Sequence, residues 1–329
     1  MHELTGRAPA RIDFGGGWTD VPPYSDERGG CVCSAAIDLH AVVTLGPAAG
    51  SDSGPEHEDA GMAMAALKRR GATGVRLSIE SEYPVGAGLG GSSAASVASL
   101  GTLRAWQGHP IDPAGLAEES RLLEVEDLHI AGGRQDHYAA AFGGVLGLRF
   151  EGATRVEPVQ LAAPDLDRLA SQCVLVYTGQ SRISADTITA VIDAYRSRER
   201  RVLVALDRMR ELASGMITSI RAADFESLGR LVGEHWVHQR SLHPAIPTPR
   251  IDAMLDAAAR AGALGGKAMG ASGGGCVLAI APLEHVDRVR DAMSALGEPL
   301  RVRIALGGFH VEPADAAGGA ARRPWTSVA

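Results

Sequence analysis

PVGAGLGGSSAASVASLGTLRAW, residues 84–106, is the stretch from which the fold can be read. Four glycines, Gly86, Gly88, Gly90 and Gly91, surround Leu89 and run into Ser92 and Ser93, where a helix of small residues begins. Without Cβ atoms such a loop can close around a phosphate chain, and the free N–H groups and dipole of the helix start favour negative charge there. The two hydroxyls can bond a phosphate oxygen or complete a magnesium shell. No lysine precedes the serines, so this is not the GxxxxGK[ST] loop. Taken alone, the segment reads equally well as a tight turn capped by Ser92.

Upstream, a strand from Leu4 to Asp13 breaks at Gly15, Gly16 and Gly17 inside RAPARIDFGGGWTD. This segment gathers Arg7, Arg11, Asp13, Thr19 and Asp20. A loop carboxylate such as Asp20 can accept bonds from vicinal hydroxyls, and an arginine offers a fixed fork to phosphate oxygens. Taken singly, the surface-charge reading wins for each. A second strand spans Gly30 to Leu45, residues 46–61 read as a mobile surface loop, Met62 to Arg70 as a helix, and Val75 to Glu80 as a strand.

Downstream, a helix over about 115–129 leads to GGRQDHYAAAFGG, where Asp136 opens a short helix. Phosphoryl transfer needs a carboxylate near the attacking hydroxyl and positive charge near the transferred group. Asp136 and Arg11 can supply these, or Asp136 is simply a helix N-terminal carboxylate favoured by the dipole. His137 is read as structural.

After Pro164 the pattern shifts to a strand at 173–178, a long helical stretch from Ala185 to Met216, and further helices at 224–239 and 249–261. A second glycine loop, GGKAMGASGGG at 265–275, precedes a strand at 276–282, a helix at 284–296 and a strand at 300–306. Lys267 within it either approaches phosphates or is solvated. This order predicts a second α+β half, with domains at 1–165 and 166–313 and a disordered tail at 314–329. His235, His238 and His243 read as solvated helix residues and not as a metal set, because only Glu234 stands nearby.

The 329 residues can bury one large core or two ordinary ones, and two domains are expected. A net charge of −7 argues against a nucleic-acid partner. Cys31, Cys33, Cys173 and Cys276 read as reduced, packed thiols. No apolar run reaches the roughly 18 residues of a membrane span, and the start lacks the apolar core of an export signal, so a cytoplasmic protein is expected.

The segments RAPARIDFGGGWTD, PVGAGLGGSSAA and GGKAMGASGGG, in this order with Asp136 between the second and third, resemble the GHMP kinases of galactose, homoserine, mevalonate and phosphomevalonate. The likeness covers nearly the whole chain. RIDFGGGWTDVPPY, YTGQSRISADTI and EHWVHQRSLHPAIPTPRID are most similar to the branch of heptose 7-phosphate 1-kinase and fucokinase. The resemblance implies an α+β fold of two domains, ribosomal-protein-S5-like and ferredoxin-like, with ATP between them and its phosphates under residues 86–93. It implies Asp136 as the catalytic carboxylate, Arg11 as its charge partner, and Ser92 or Ser93 with Glu124 as holders of Mg²⁺. Asp20, with Thr19 and Gly17, would bind sugar hydroxyls, and Gly273 and Gly274 would shape the site from the second domain. Arg7, Arg134 and Arg182 are the candidates for a phosphate already on the substrate. Gly91 stands where the second motif often has serine, and Ser272 where the third has glycine. The implied activity is transfer of the γ-phosphate of ATP to the anomeric hydroxyl of a sugar phosphate, by a monomer or homodimer. A kinase of an unphosphorylated sugar, and a non-catalytic binding protein of the same fold, are the rival readings.

Overall fold

The computed structural model describes residues 3–48, 60–181 and 185–314. The first half builds an antiparallel sheet from β1 (Leu4–Gly15), β2 (Gly30–Pro47), β3 (Val75–Ser81), β4 (Val145–Glu151) and β5 (Ala153–Pro158). The short α1 (Tyr24–Arg28) links β1 to β2, and α2 (Ala60–Arg70) precedes β3. Three helices, α3 (Gly91–Trp106), α4 (Pro113–Leu122) and α5 (Gln135–Phe142), connect β3 to β4. Small residues let α3 lie close against the sheet: its stretch from Ser93 to Leu103 is buried throughout.

The second half contains α6 (Ala163–Gln172), β6 (Cys173–Tyr177), α7 (Ala185–Arg196), α8 (Arg200–Arg221), α9 (Phe225–Ser241) and α10 (Pro249–Arg260). It continues with β7 (Gly265–Ala268), β8 (Cys276–Ile280), α11 (Val286–Ser294) and β9 (Glu298–Leu300). Its sheet runs β7-β8-β6-β9. Side chains alternate across a strand, and here both faces are used. Cys173, Leu175, Cys276, Leu278 and Ile280 join the core under the first sheet, while Val174, Val176, Val277 and Ala279 pack with α10 and α11. One continuous core therefore runs beneath both sheets.

Three features differ from the sequence reading. The helical stretch expected across 185–216 is divided into α7 and α8 at Arg198, which adopts a left-handed φ of 58°, and α8 continues to Arg221. Gly265–Ala268, read as part of a loop, is strand β7, paired with β8. Of the expected last strand, 300–306, only Leu300 pairs with β6, as the end of β9. Beyond it Ile304 bridges Ile37, and β10 (His310–Pro313) pairs with β1, so the end of the second half returns to the first sheet. Residues 49–59 of the expected surface loop and 315–329 of the expected tail lie outside the described residues. The four cysteines are buried free thiols, and among the described residues no helix is long and apolar enough to cross a membrane.

Candidate active site

A cavity of about 370 Å³ opens where the end of β1, the loop before α3, the start of α5 and the loop before β8 meet. Arg11 reaches it from β1, almost fully buried. Its Nε donates to Asp136 Oδ1 at 2.8 Å and its Nη2 to Asp136 Oδ2 at 2.9 Å, while Nη1 donates to the Gly88 carbonyl at 2.6 Å. One guanidinium thus joins the glycine loop to the carboxylate. Gly90, at φ 71°, caps α3, and a Cβ there would stand 3.1 Å from Asp136 Cγ. The first turn of α3 has no side-chain cap, so its amides remain available to an anion.

The second glycine loop packs against the first, backbone to backbone. Cys276 N–H donates to the Ala87 carbonyl at 2.8 Å, and a Cβ on Gly88 would lie 2.8 Å from the Met269 carbonyl oxygen. Gly88, at φ 74°, and Gly275, at φ 77°, both sit in the left-handed region. Gly274 lines the cavity with Met269, Gly270, Ala271 and Ser272. Gly273 does not, and its N–H is given to the Ile246 carbonyl. At Gly91 a Cβ would meet the Tyr83 ring at 2.5 Å, so a serine there requires that ring to move.

Glu124 is carried on a π-helical turn, Leu123–Asp127, directly after α4. Ser92 Oγ donates to one of its oxygens at 2.8 Å and Ser93 Oγ to the other at 3.2 Å. Behind it, His137 Nε2 lies 3.4 Å from Glu124 Oε2, and His137 Nδ1 lies 2.9 Å from Ser120 Oγ. Burial works to raise the Glu124 pKa, but His137 and the two hydroxyls outweigh it and hold the carboxyl below its ordinary value. Ser92 is exposed at the cavity and Ser93 is buried. Hydroxyl and carboxylate oxygens suit a hard cation such as Mg²⁺, which takes one or two protein ligands and completes its shell with phosphates.

Asp20 is buried in the floor, accepting the Gln135 backbone N–H at 3.0 Å. Burial pushes its pKa up to about 6, and the negative charges of Asp136 and Asp13 add to that rise. Gly17 lines the floor beside it. Lys267 is neither solvated nor at the phosphate loop. It is fully buried on β7 and donates to Asp13 Oδ2 at 2.8 Å and to the Asp13 carbonyl at 3.0 Å. His235, read as a solvated helix residue, is also fully buried; its Nε2 accepts the Gly16 N–H at 2.8 Å, and burial lowers its pKa to about 3. No sequence signal for these partnerships exists, since each joins residues more than 200 positions apart.

Other expected residues lie elsewhere. Thr19 is buried away from the cavity, its Oγ1 donating to the Gly16 carbonyl at 2.7 Å, and it holds the turn after β1. Arg7 pairs with Glu82 at 3.3 Å, and Arg134 donates to the Gly152 carbonyl at 3.0 Å. Neither lines the cavity. Arg7 stands on the same face of β1 as Arg11 but four residues earlier, roughly 13 Å along the strand, and Arg134 is drawn to the Gly152 carbonyl and to Asp26. Arg182 lies outside the described residues.

An anion-ready helix start, the oxygens of Ser92 and Glu124 beside it and a clamped carboxylate within one cavity suit phosphoryl transfer to an alcohol, a reaction that depends on positioning and charge more than on covalent chemistry. Residues 60–144 match the GHMP kinases N terminal domain and residues 216–299 the GHMP kinases C terminal domain. The chain belongs to the GHMP kinases, which are ATP-dependent phosphotransferases with an alcohol acceptor. It is 28% identical to the L-fucokinase/L-fucose-1-P guanylyltransferase of Bacteroides fragilis over 84% of its own length, but spans only 34% of that protein. It is 27% identical to the D-glycero-alpha-D-manno-heptose 7-phosphate kinase of Campylobacter jejuni, covering 84% of this chain and 88% of that one. The fold matches the crystal structure of a D-glycero-D-manno-heptose 1-phosphate kinase from Bacteriodes thetaiotaomicron with a TM-score of 0.76 at 23% identity, over 94% and 98% of the two chains.

Proposed function

We propose that this kinase phosphorylates the anomeric hydroxyl of a sugar phosphate, a heptose 7-phosphate or a related longer-chain sugar phosphate such as an octose 8-phosphate. The observation that carries the proposal is Asp136, held by both prongs of Arg11 against the loop 86–91 and sharing a floor with the buried Asp20. Relatives that bear the names of a heptose 7-phosphate kinase and a fucokinase support a sugar as acceptor.

The sugar hydroxyls bond Asp20, which turns the anomeric oxygen to Asp136. Asp136 orients that oxygen and accepts its proton as the new bond to the γ-phosphorus forms and the bond to the β–γ bridging oxygen breaks, with ADP as the leaving group. Arg11 keeps the carboxylate in place, and the amides around 86–93 hold the phosphates of ATP. Ser92 and Glu124 would hold Mg²⁺, which neutralises phosphate charge when bound. Ser93 and His137 keep Glu124 oriented from behind.

A second reading, an unphosphorylated sugar as acceptor, is favoured by one observation. Among the described residues lining the cavity the sole Arg or Lys is Arg11, already engaged by Asp136 and Gly88. A distal phosphate would then depend on Arg182. A coupled assay with heptose 7-phosphate, an octose 8-phosphate, fucose and galactose separates the two: the proposal expects turnover of the phosphorylated sugars, with Arg182→Ala raising KM for them. Asp136→Asn should lower turnover by about 10²–10⁴-fold with ATP binding kept in calorimetry. Full turnover by a folded Asp136→Asn protein would remove the mechanism.

A further inference from the structure

Ser272 holds a backbone conformation that its residue type resists. Among the described residues five other than glycine have φ in the left-handed region: Trp18, His129, Arg198, Ala223 and Ser272. His129, Arg198 and Ala223 stand just past the ends of helices, where that conformation closes the last turn. Ser272, at φ 67°, ends no helix. It stands between Gly270 and Gly273 in the second glycine loop, 6% exposed and lining the cavity. Glycine, which the family's motif carries at this position, would relieve the strain. A side chain kept where it strains the backbone beside a site points to a use for that side chain.

The partners of the hydroxyl leave one of its bonds open. Gln239, 1% exposed on α9, donates from Nε2 to Ser272 Oγ at 2.9 Å. The same nitrogen faces the carbonyls of Ala268 and Gly270, both at 3.3 Å, which only an N–H can satisfy, so the amide is fixed with its nitrogen towards the loop. Ser272 Oγ is therefore the acceptor in this pair, and its own hydrogen is left to donate. Among the described residues no acceptor takes it.

We infer that Ser272 donates this hydrogen to the γ-phosphate of ATP, a contact from the second half of the chain that a glycine at this position cannot make. The inference rests on the placement of the ATP phosphates at residues 86–93 given above. The second loop lies on the first at Gly88, where a Cβ on Gly270 would stand 3.0 Å from Gly88 Cα. Gly88 is also the loop residue that Arg11 ties to Asp136, so the phosphate beside it is the one transferred. Arg11 is the sole Arg or Lys among the described residues lining the cavity, and Asp136 and Gly88 already occupy it. The charge of the triphosphate is therefore left to amides, hydroxyls and the bound cation. An oxygen that carries negative charge accepts from a hydroxyl more strongly than a neutral sugar oxygen does.

Two variants separate the hydroxyl from the backbone: Ser272→Ala keeps the Cβ and removes the hydroxyl, and Ser272→Gly removes both. Calorimetry with Mg²⁺ present measures the affinity of the wild type and of each variant for ADP and for the β,γ-imido analogue of ATP. Both variants should bind the ATP analogue roughly ten- to hundredfold more weakly, the loss of one hydrogen bond to a charged group. Both should bind ADP, which lacks the γ-phosphate, as tightly as the wild type does. A residue that only shapes the loop would weaken the two nucleotides alike. That outcome, an unchanged affinity for the analogue, or a loss confined to one of the two variants overturns the inference while the kinase reading stands. If the wild type binds neither nucleotide, the placement of ATP fails and the inference falls with it.

Discussion

Asp20 links chemistry to pH at a single side chain. Its carboxyl is buried, and burial is the chief reason that it holds its proton up to about pH 6 instead of the ordinary 3.8. Only the ionised form accepts hydroxyl protons on both oxygens, so kcat/KM for the acceptor should climb with pH through about 6 and level off above it. Stability runs the other way. A carboxyl that binds its proton more tightly folded than unfolded gives support that is complete below 3.8 and lost as pH rises through about 6. Asp20→Asn should flatten both trends, and a pH–rate profile with an undiminished inflection in that variant would assign the inflection elsewhere. The glycine turns mark a neighbourhood and not a partner: Asp136, Arg11, Ser92, Ser93 and Asp20 stand near one, but so do Asp13, Gln135 and Lys267. What the sequence does not carry is which of them meet in the folded chain. Lys267 is alike in sequence whether solvated or buried, and only the approach of β7 to β1 decides.

Among the elements, the two glycine loops were readable as loops, while their contact was not. Left-handed φ at Gly88 and Gly275 and the short approaches to Met269 and Ala87 show why side chains are missing from both at once. Gly88→Ala places a Cβ in the left-handed region and 2.8 Å from a carbonyl oxygen, and should lower stability by about 1–3 kcal/mol. ATP affinity should fall with it, because the displaced loop carries the amides of α3. Chemical denaturation with ATP titration checks this, and a variant as stable as wild type would show that the loops give way freely. Other elements escaped the sequence for physical reasons. The alternation in residues 300–306 is real, but the segment passes from one sheet to the other, so its period is divided between β9 and the bridge at Ile304. The periodicity of 185–216 continues through the break at Arg198, because α7 and α8 bury residues of the same core.

For the whole molecule, the buried pair of Lys267 and Asp13 ties the second sheet to the first directly beneath the acceptor floor. Burial lowers the Lys267 pKa, and Asp13 works against that fall; Asp13 itself is held below its ordinary value, because the cations around it outweigh its burial. Removing one partner of such a pair strands a charge in a medium that cannot solvate it, at a cost of about 3–5 kcal/mol. Lys267→Met should therefore destabilise the protein by about that amount, and Lys267→Met with Asp13→Asn should recover part of the loss. Because Leu175, Leu278 and Ile280 of the second sheet sit in the same core as Ile12, Val32 and Leu148 of the first, the loss should be shared. Hydrogen exchange should show the strands of both sheets losing protection together, in one unfolding transition at a lower midpoint. If the second sheet opened alone and the first kept its protection, the two halves would be independent bodies, and Lys267 would be a local support instead of the joint that holds the acceptor floor against the phosphate loop.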